Sequence, residues 1–367
     1  MKLHALALSI VSVLVASQVQ AAPKVYGQLN LSAESYQKDN QNPAAADEDY
    51  TRLQSNASRF GVRGENELST NLAVVYGIEW QISGDGEDVS GLSATTTTTI
   101  SGAAGATASS TTTIANGSRL DLTQRNRFVG IKHKDLGTIK AGRFDTYLKT
   151  AQGKTDLFND FLGDIEFTIA GEDRANNAIG YESPSFKNFQ FNVLSQTQDV
   201  ATKATNGSSA SIVYDNQELG LYAALGVNQS IVGRTALFGS TREGDGYRLA
   251  VSYNVADLTV NALYSTNEKY DGNDGEKAYL LGAAYKINDI VLKAQYSSAE
   301  ADDANKIAAG SSIEKNVFSV GADYNFTSKT RAFVWYTNRE DVKKDAVIVV
   351  PNDIEETSLA LGVEHKF

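Results

Sequence analysis

Few side chains in this sequence are equipped for covalent chemistry. The chain of 367 residues has no cysteine and three histidines. Nucleophilic hydrolysis normally needs a base, most often histidine, beside the attacking group. His4 belongs to a leader-like segment, His133 borders a short polar turn, and His365 stands two residues from the end. None shares a long connection with a serine, so the sequence predicts no enzyme and calls for no cofactor. The acidic run Asp271-Gly-Asn-Asp-Gly-Glu276 lacks the full ligand spacing of a calcium loop and reads as a solvated loop without a metal. What remains is a set of arginines embedded in apolar alternation. Arg59 and Arg63 share the face opposite Phe60 and Val62, and Arg174 sits opposite Ala175, Ile179 and Tyr181. An arginine on a lipid-facing strand surface costs roughly 2–4 kcal/mol near the bilayer midplane. If the apolar faces meet lipid, these arginines face a wet interior. Arg143 has the parity of Ile139 and Ala141 and needs a bulge or a place beyond the apolar zone.

The elements that hold such residues are strands. Tyr279, Leu281, Ala283, Tyr285 and Ile287 alternate with Leu280, Gly282, Ala284 and Lys286. The same period of two runs through Tyr247–Val255, Leu258–Tyr264, Phe318–Phe326 and Leu359–Phe367. Aromatic rings at the ends of the apolar faces suit the headgroup level of a membrane. Short polar turns fall near Glu67–Ser69, Asp135–Gly137, Phe186–Asn188, Asn216–Glu218, Ala256–Asp257, Asn288–Asp289 and Thr327–Lys329. Between them lie eight long connections, at about 38–50, 84–118, 147–173, 201–208, 230–244, 268–275, 301–313 and 341–353. Seven short and eight long connections join sixteen strands, short on one side and long on the other, as in outer-membrane barrels. An even count lets the first and last strands close antiparallel with no edge left in lipid.

Residues 1–21 read as an export leader, with Lys2 before an apolar stretch and Val19-Gln20-Ala21 at the cleavage position. Residues 22–367 then form a single barrel unit. The net charge of -11 lacks the basic footprint that nucleic-acid binding requires. The Thr/Ser/Ala/Gly-rich stretch Gly91–Ser118 cannot build a core and is expected to be a mobile external loop. A latch over a neighbouring subunit is its alternative use.

Several motifs occur in a telling order. They are Val25-Tyr-Gly-Gln-Leu29, Ser58-Arg-Phe-Gly-Val-Arg-Gly64, Arg125-Asn-Arg-Phe-Val-Gly130, Gly142-Arg143 and a terminal Phe367. Together they resemble the general trimeric porins of Gram-negative bacteria over essentially the whole mature chain. The resemblance implies a 16-stranded antiparallel transmembrane β-barrel, all-β, with an inward-folded third loop. It implies passive transport of ions and small hydrophilic solutes, a homotrimer in outer-membrane lipid, and the barrel-assembly machinery as a partner that reads Phe367. Wall arginines carried over by motif are Arg59, Arg143 and Arg174, with Arg63 on the same face as Arg59. On the loop, Phe161-Leu-Gly-Asp164 resembles the family stretch, which assigns Asp156, Asp160 and Asp164 to the acidic side of a constriction. Gln28 stands where some members carry lysine, and this departure shifts the expected ion preference weakly toward cations. A substrate-specific porin for sugars or organic acids is the competing expectation. It would show lumenal aromatics, for which Phe333 and Trp335 qualify if Arg331 and Arg339 face inward.

Overall fold

The computed structural model describes residues 22–42, 45–83, 94–101, 107–114, 122–197, 206–234, 241–269, 275–302, 312–344 and 353–367. The expected leader 1–21, part of the Gly91–Ser118 stretch and residues 271–274 of the acidic run lie outside the described residues.

Nineteen strands follow one another along the described chain. The first part comprises β1 (Lys24–Asn40), β2 (Glu48–Ser55), β3 (Arg59–Ser69), β4 (Leu72–Ile82), β5 (Ala94–Ser101), β6 (Thr107–Ile114), β7 (Leu122–His133) and β8 (Gly137–Asp145). A short helix α1 (Tyr147–Thr150) and a single 3₁₀ turn at Ile165–Phe167 come next. They precede β9 (Arg174–Glu182), β10 (Phe189–Gln196), β11 (Gly207–Asn216), β12 (Leu221–Arg234), β13 (Thr241–Val255) and β14 (Leu258–Lys269). The chain finishes with β15 (Gly275–Ile287), β16 (Ile290–Asp302), β17 (Ser312–Asn325), β18 (Thr330–Lys344) and β19 (Ile354–Lys366).

Seventeen of these strands form one sheet that closes on itself, because β1 pairs with β19 on one edge and with both β2 and β3 on the other. β2 and β3 are therefore two halves of one stave, and the barrel has sixteen staves, all antiparallel. The break between them is a bulge. Leu31 faces Ser55 and Gln28 faces Arg59, so three steps along β1 oppose four along its partner. Ala57 takes up the extra residue at φ 47°, while Asn56 N–H donates to the Asn30 carbonyl.

The alternation expected from the sequence is the inside–outside pattern of the wall. On β15, Tyr279, Leu281, Tyr285 and Ile287 are exposed outward, whereas Ala278 and Leu280 are buried inward. Aromatic rings line up across outward neighbours, Tyr264 opposite Tyr279 and Tyr296 opposite Phe318. Tyr253, Tyr285, Tyr324 and Phe326 gather near the short turns. This is an apolar belt with aromatic margins, the outer surface of a lipid-spanning barrel. Closure at the C-terminus is direct: the Phe367 N–H donates to the Gly27 carbonyl at 3.1 Å. A Cβ at Gly27 would meet the Phe367 ring at 2.6 Å, so the terminal ring needs a glycine opposite it.

Three expectations shift. The first short turn is Thr70–Asn71 rather than Glu67–Ser69, because a register irregularity in β3 carries the strand to Ser69. β12 and β13 run well into the connection expected at 230–244, and reach Arg234 and Thr241. Within the low-complexity stretch, β5 and β6 pair as a separate hairpin from Ala94–Ile114 to Ser101–Thr107. Runs of β-branched threonine favour extended backbone even without a core to cover.

Candidate functional site

The connection between β8 and β9, residues 146–173, does not extend away from the barrel. Its apolar side chains Leu148, Phe158, Phe161, Ile165 and Ile169 are buried. Ile165 and Ile169 pack with Ala250, Leu263, Ala278, Leu280 and Ala299, the inward residues of β13 to β16. Phe158 and Phe161 pack on Phe333 and Trp335 of β18. Polar contacts repeat the pattern, with Glu276 accepting from Ala170 N–H and Arg248 donating to the Ala170 carbonyl. Arg248 also pairs with Glu172 at 2.6 Å. A connection of this composition thus lies against inner-face residues of the wall.

From the same segment Asp160 reaches the wall at β1 and β3, which follow β18 and β19 round the closed sheet. Its carboxylate accepts from Arg59 Nη1 at 2.8 Å and from Gln28 Nε2 at 3.2 Å. The meeting follows from register: Gln28 and Arg59 are direct cross-strand partners, so their side chains leave the same face of the wall. The bulge just before Arg59 sets that register. Asp160 itself sits at φ 68°, a left-handed conformation that aspartate tolerates better than most residues.

Asp156 and Asp164 occupy a different place. Asp164 caps the 3₁₀ turn and accepts from Glu166 N–H at 2.7 Å, Asp160 N–H at 2.6 Å and the Asn159 amide at 2.9 Å. Asp156 accepts from the N–H groups of Phe158 and Ile165 and from Gln295 Nε2, each at 3.0 Å. Both carboxyls are taken up by the segment and the wall, Asp164 at the margin of the cavity described below, because they satisfy backbone donors that no regular structure satisfies. Burial pushes both above the usual carboxylate range, and the neighbouring Asp156 charge raises Asp164 further.

The basic residues also divide. Arg174 pairs with Asp145 at 3.2 Å and lines the same cavity as Asp160. Arg63 is drawn away from Asp160 and stacks over the Tyr26 ring at 4.6 Å. Arg143 lies opposite Arg127 in register, on the face of Val129, Ile131 and Ile139, which is the outward one. A bulge between Gly142 and Phe144 follows, and Arg143 donates to Asn176 Oδ1 at 2.6 Å. The structure therefore brings together Gln28, Arg59 and Asp160, with Arg174 lining the same cavity. Arg63 turns to Tyr26, and Arg143 lies within electrostatic reach of Arg174 but bonds to Asn176.

Beside Asp160 opens a cavity of about 700 Å³. Its walls carry ion pairs that motif reading did not single out: Arg52–Glu34 at 3.0 Å, Arg339–Glu356 at 2.9 Å and Lys149–Glu172 at 3.6 Å. Period-two parity places Arg52 and Arg339 inward, but the relative heights of distant strands are not written in the sequence. Phe333 and Trp335 do face inward, yet they are 2% and 0% exposed beneath Phe158 and Phe161. They offer no aromatic track to a solute.

A closed lipid-spanning barrel with a polar, charged interior defines the class of protein, a transmembrane β-barrel channel. The profile of the Gram-negative porin family matches residues 5–344, and the chain belongs to that family. Outer membrane porin F of Escherichia coli O6:K15:H31 is 22% identical over 334 residues, covering 84% of this chain and 83% of its own. The anion-selective porin from Comamonas acidovorans superposes with a TM-score of 0.64 at 20% identity, covering 94% of this chain and 99% of its own. The trimer form of OmpT, an outer membrane protein of Vibrio cholerae, gives a TM-score of 0.60 at 13% identity, covering 94% and 99%. The chain is an outer-membrane porin.

Proposed function

We propose that this porin is a general-diffusion channel whose narrowest point is formed by Arg59 and Gln28 on the wall and Asp160 on the inward-folded third loop. The observation that carries the reading is the direct meeting of wall and loop at Arg59 Nη1 and Asp160. Ions and small hydrophilic solutes pass beside this pair through water; apolar solutes are disfavoured because their surroundings cannot be replaced there. Fixed charges at a constriction set ion preference without a dedicated binding site.

The preference we assign is weakly cationic. Most acids lining the cavity are matched: Glu34 by Arg52, Asp145 by Arg174, Asp160 by Arg59, Glu172 by Arg248 and Glu356 by Arg339. Asp164 is held as a cap, and Glu166 is an exposed lining acid without an ion-pair partner among the described residues. Lys149, shared between Asp145 and Glu172, adds one cation to the same cavity and keeps the preference weak. Gln28, where a lysine would have added positive charge, supports the same sign. The anion-selective porin from Comamonas acidovorans, which shares this fold, makes reversal potential in a salt gradient the deciding experiment. A potential of cationic sign supports the assignment, and one of anionic sign rejects it.

Removal of residues 1–21 on export, assembly as a homotrimer in outer-membrane lipid, and reading of Phe367 by the barrel-assembly machinery complete the proposal. Support comes from the leader-like sequence, the trimeric Vibrio relative and the closure of the barrel at Phe367. Mass measurement of the purified trimer and of its N-terminus tests the first two.

A further inference from the structure

Lys293 of β16, on the inner wall, is 5% exposed, yet its ammonium is not confined to an ion pair with a wall residue. Nζ donates to the Leu157 carbonyl of the third loop at 2.7 Å and lies 3.2 Å from Asp323 Oδ2. It also sits 3.8 Å from the centroid of the Trp335 ring on the wall and 4.6 Å from that of Phe158 on the loop. A single cation is thus shared by two aromatic faces, one from each of the bodies it joins. Two residues along the same inward face, Gln295 accepts from the Leu157 N–H at 2.7 Å. The two side chains bracket both sides of one loop residue, and Asp160 follows three positions later.

We infer that Lys293, seated on Trp335, is a positioning residue for the pore: it fixes the third loop at Leu157 and thereby holds Asp160 against Arg59. The inference rests on the constriction reading above. Lys293 is too deeply covered to act on a passing solute as a charge. Its effect on transport therefore runs through the placement of the loop. Asp323 does not depend on Lys293 for neutralisation, since Arg331 pairs with it at 2.8 Å and Trp335 Nε1 donates to it at 2.6 Å. Removing the lysine charge leaves the wall satisfied and withdraws only the hold on the loop.

The chain supplies its own reporter. It has two tryptophans, Trp80 and Trp335. In a Trp80→Phe background, the emission of Trp335 reads whether the loop still covers it. The experiment uses the full-length protein in detergent for fluorescence and in planar bilayers for single-channel recording, with Lys293→Met and Lys293→Arg compared with the parent. Loss of a charge-assisted hydrogen bond raises the occupancy of a wider, loop-released state by about 10- to 100-fold. Lys293→Met is expected to show excursions to larger conductance, red-shifted Trp335 emission and stronger acrylamide quenching. Lys293→Arg is expected to restore both readouts, which a loss of general stability would not predict. Parental current and parental emission in Lys293→Met overturn the inference. A changed ion preference with unchanged emission also overturns it, since Lys293 would then act directly as a charge. Shifted emission with parental conductance rejects instead the reading of the loop as the narrow point, and the inference with it. If Lys293→Met does not assemble, Trp335→Phe carries the test, with excursions expected and a quiet parental current contradicting.

Discussion

Replacing Asp160 by asparagine removes one charge and little else. The two side chains have the same shape, and asparagine also tolerates the left-handed backbone at φ 68°. The amide oxygen introduced by Asp160→Asn would still accept from Gln28, so the loop stays in place while Arg59 loses its countercharge. The narrow point gains one net positive charge. For an ion passing about 5 Å away in a water-like dielectric, that charge is worth roughly 0.8 kcal/mol, reduced to about 0.5 kcal/mol by 0.1 M salt. Such an energy disfavours cations and favours anions by about twofold each, so the cation-to-anion permeability ratio falls about fivefold. Reversal potentials of single channels in a salt gradient read the ratio. The change must fade in 1 M salt, where the screening length drops to about 3 Å. An unchanged ratio at low salt would show that permeating ions do not pass beside Asp160, and the reasoning would be wrong.

Further outcomes follow from the same geometry. Leu281→Arg puts a charge in the middle of the outward apolar belt and should cost about 2–4 kcal/mol, read as a lower urea midpoint for folding into lipid vesicles. Asp164→Ala strands three N–H donors and should destabilise the third loop by about 1–3 kcal/mol, seen as noisier open-channel current with an intact barrel on heat-modifiability gels. The buried Asp156 and Asp164 carboxyls hold a proton more tightly in the docked loop than in the unfolded chain. Their raised values make docking firmest below the ordinary carboxylate range and weaker as pH rises through the raised one. Trp335 emission in a Trp80→Phe background should therefore red-shift with increasing pH, and Asp164→Asn should flatten the dependence. Phe367→Ser removes the ring packed over Gly27 and should lower the yield of assembled barrel while survivors conduct normally.

Much of the architecture is local and therefore legible. Alternation along Tyr279–Ile287 states which face is lipid-bound, because successive side chains of a strand point to opposite sides. The same parity places Arg59 inward and sets Arg143 incongruously beside Ile139. The fate of Arg143 depends on a bulge whose position only the closed sheet reveals. Asp156 and Asp164 share a short stretch with Asp160 and carry the same charge, so spacing alone does not separate them. Their roles are decided by which backbone donors the folded loop leaves unpaired. Gln28 was legible as a missing positive charge, but its bond to Asp160 depends on the register of β1 against β3. The Lys293 site joins residues 157, 293, 323 and 335 through tertiary packing, and no periodicity links them.

The central claim is a water-filled channel narrowed at Arg59 and Asp160. Planar-bilayer recording of the purified protein in graded salt tests it most directly. Discrete ohmic conductance steps that scale with bulk salt conductivity are expected, with a weakly cationic reversal potential. A protein that inserts as a folded barrel yet produces no stable conductance steps would contradict it.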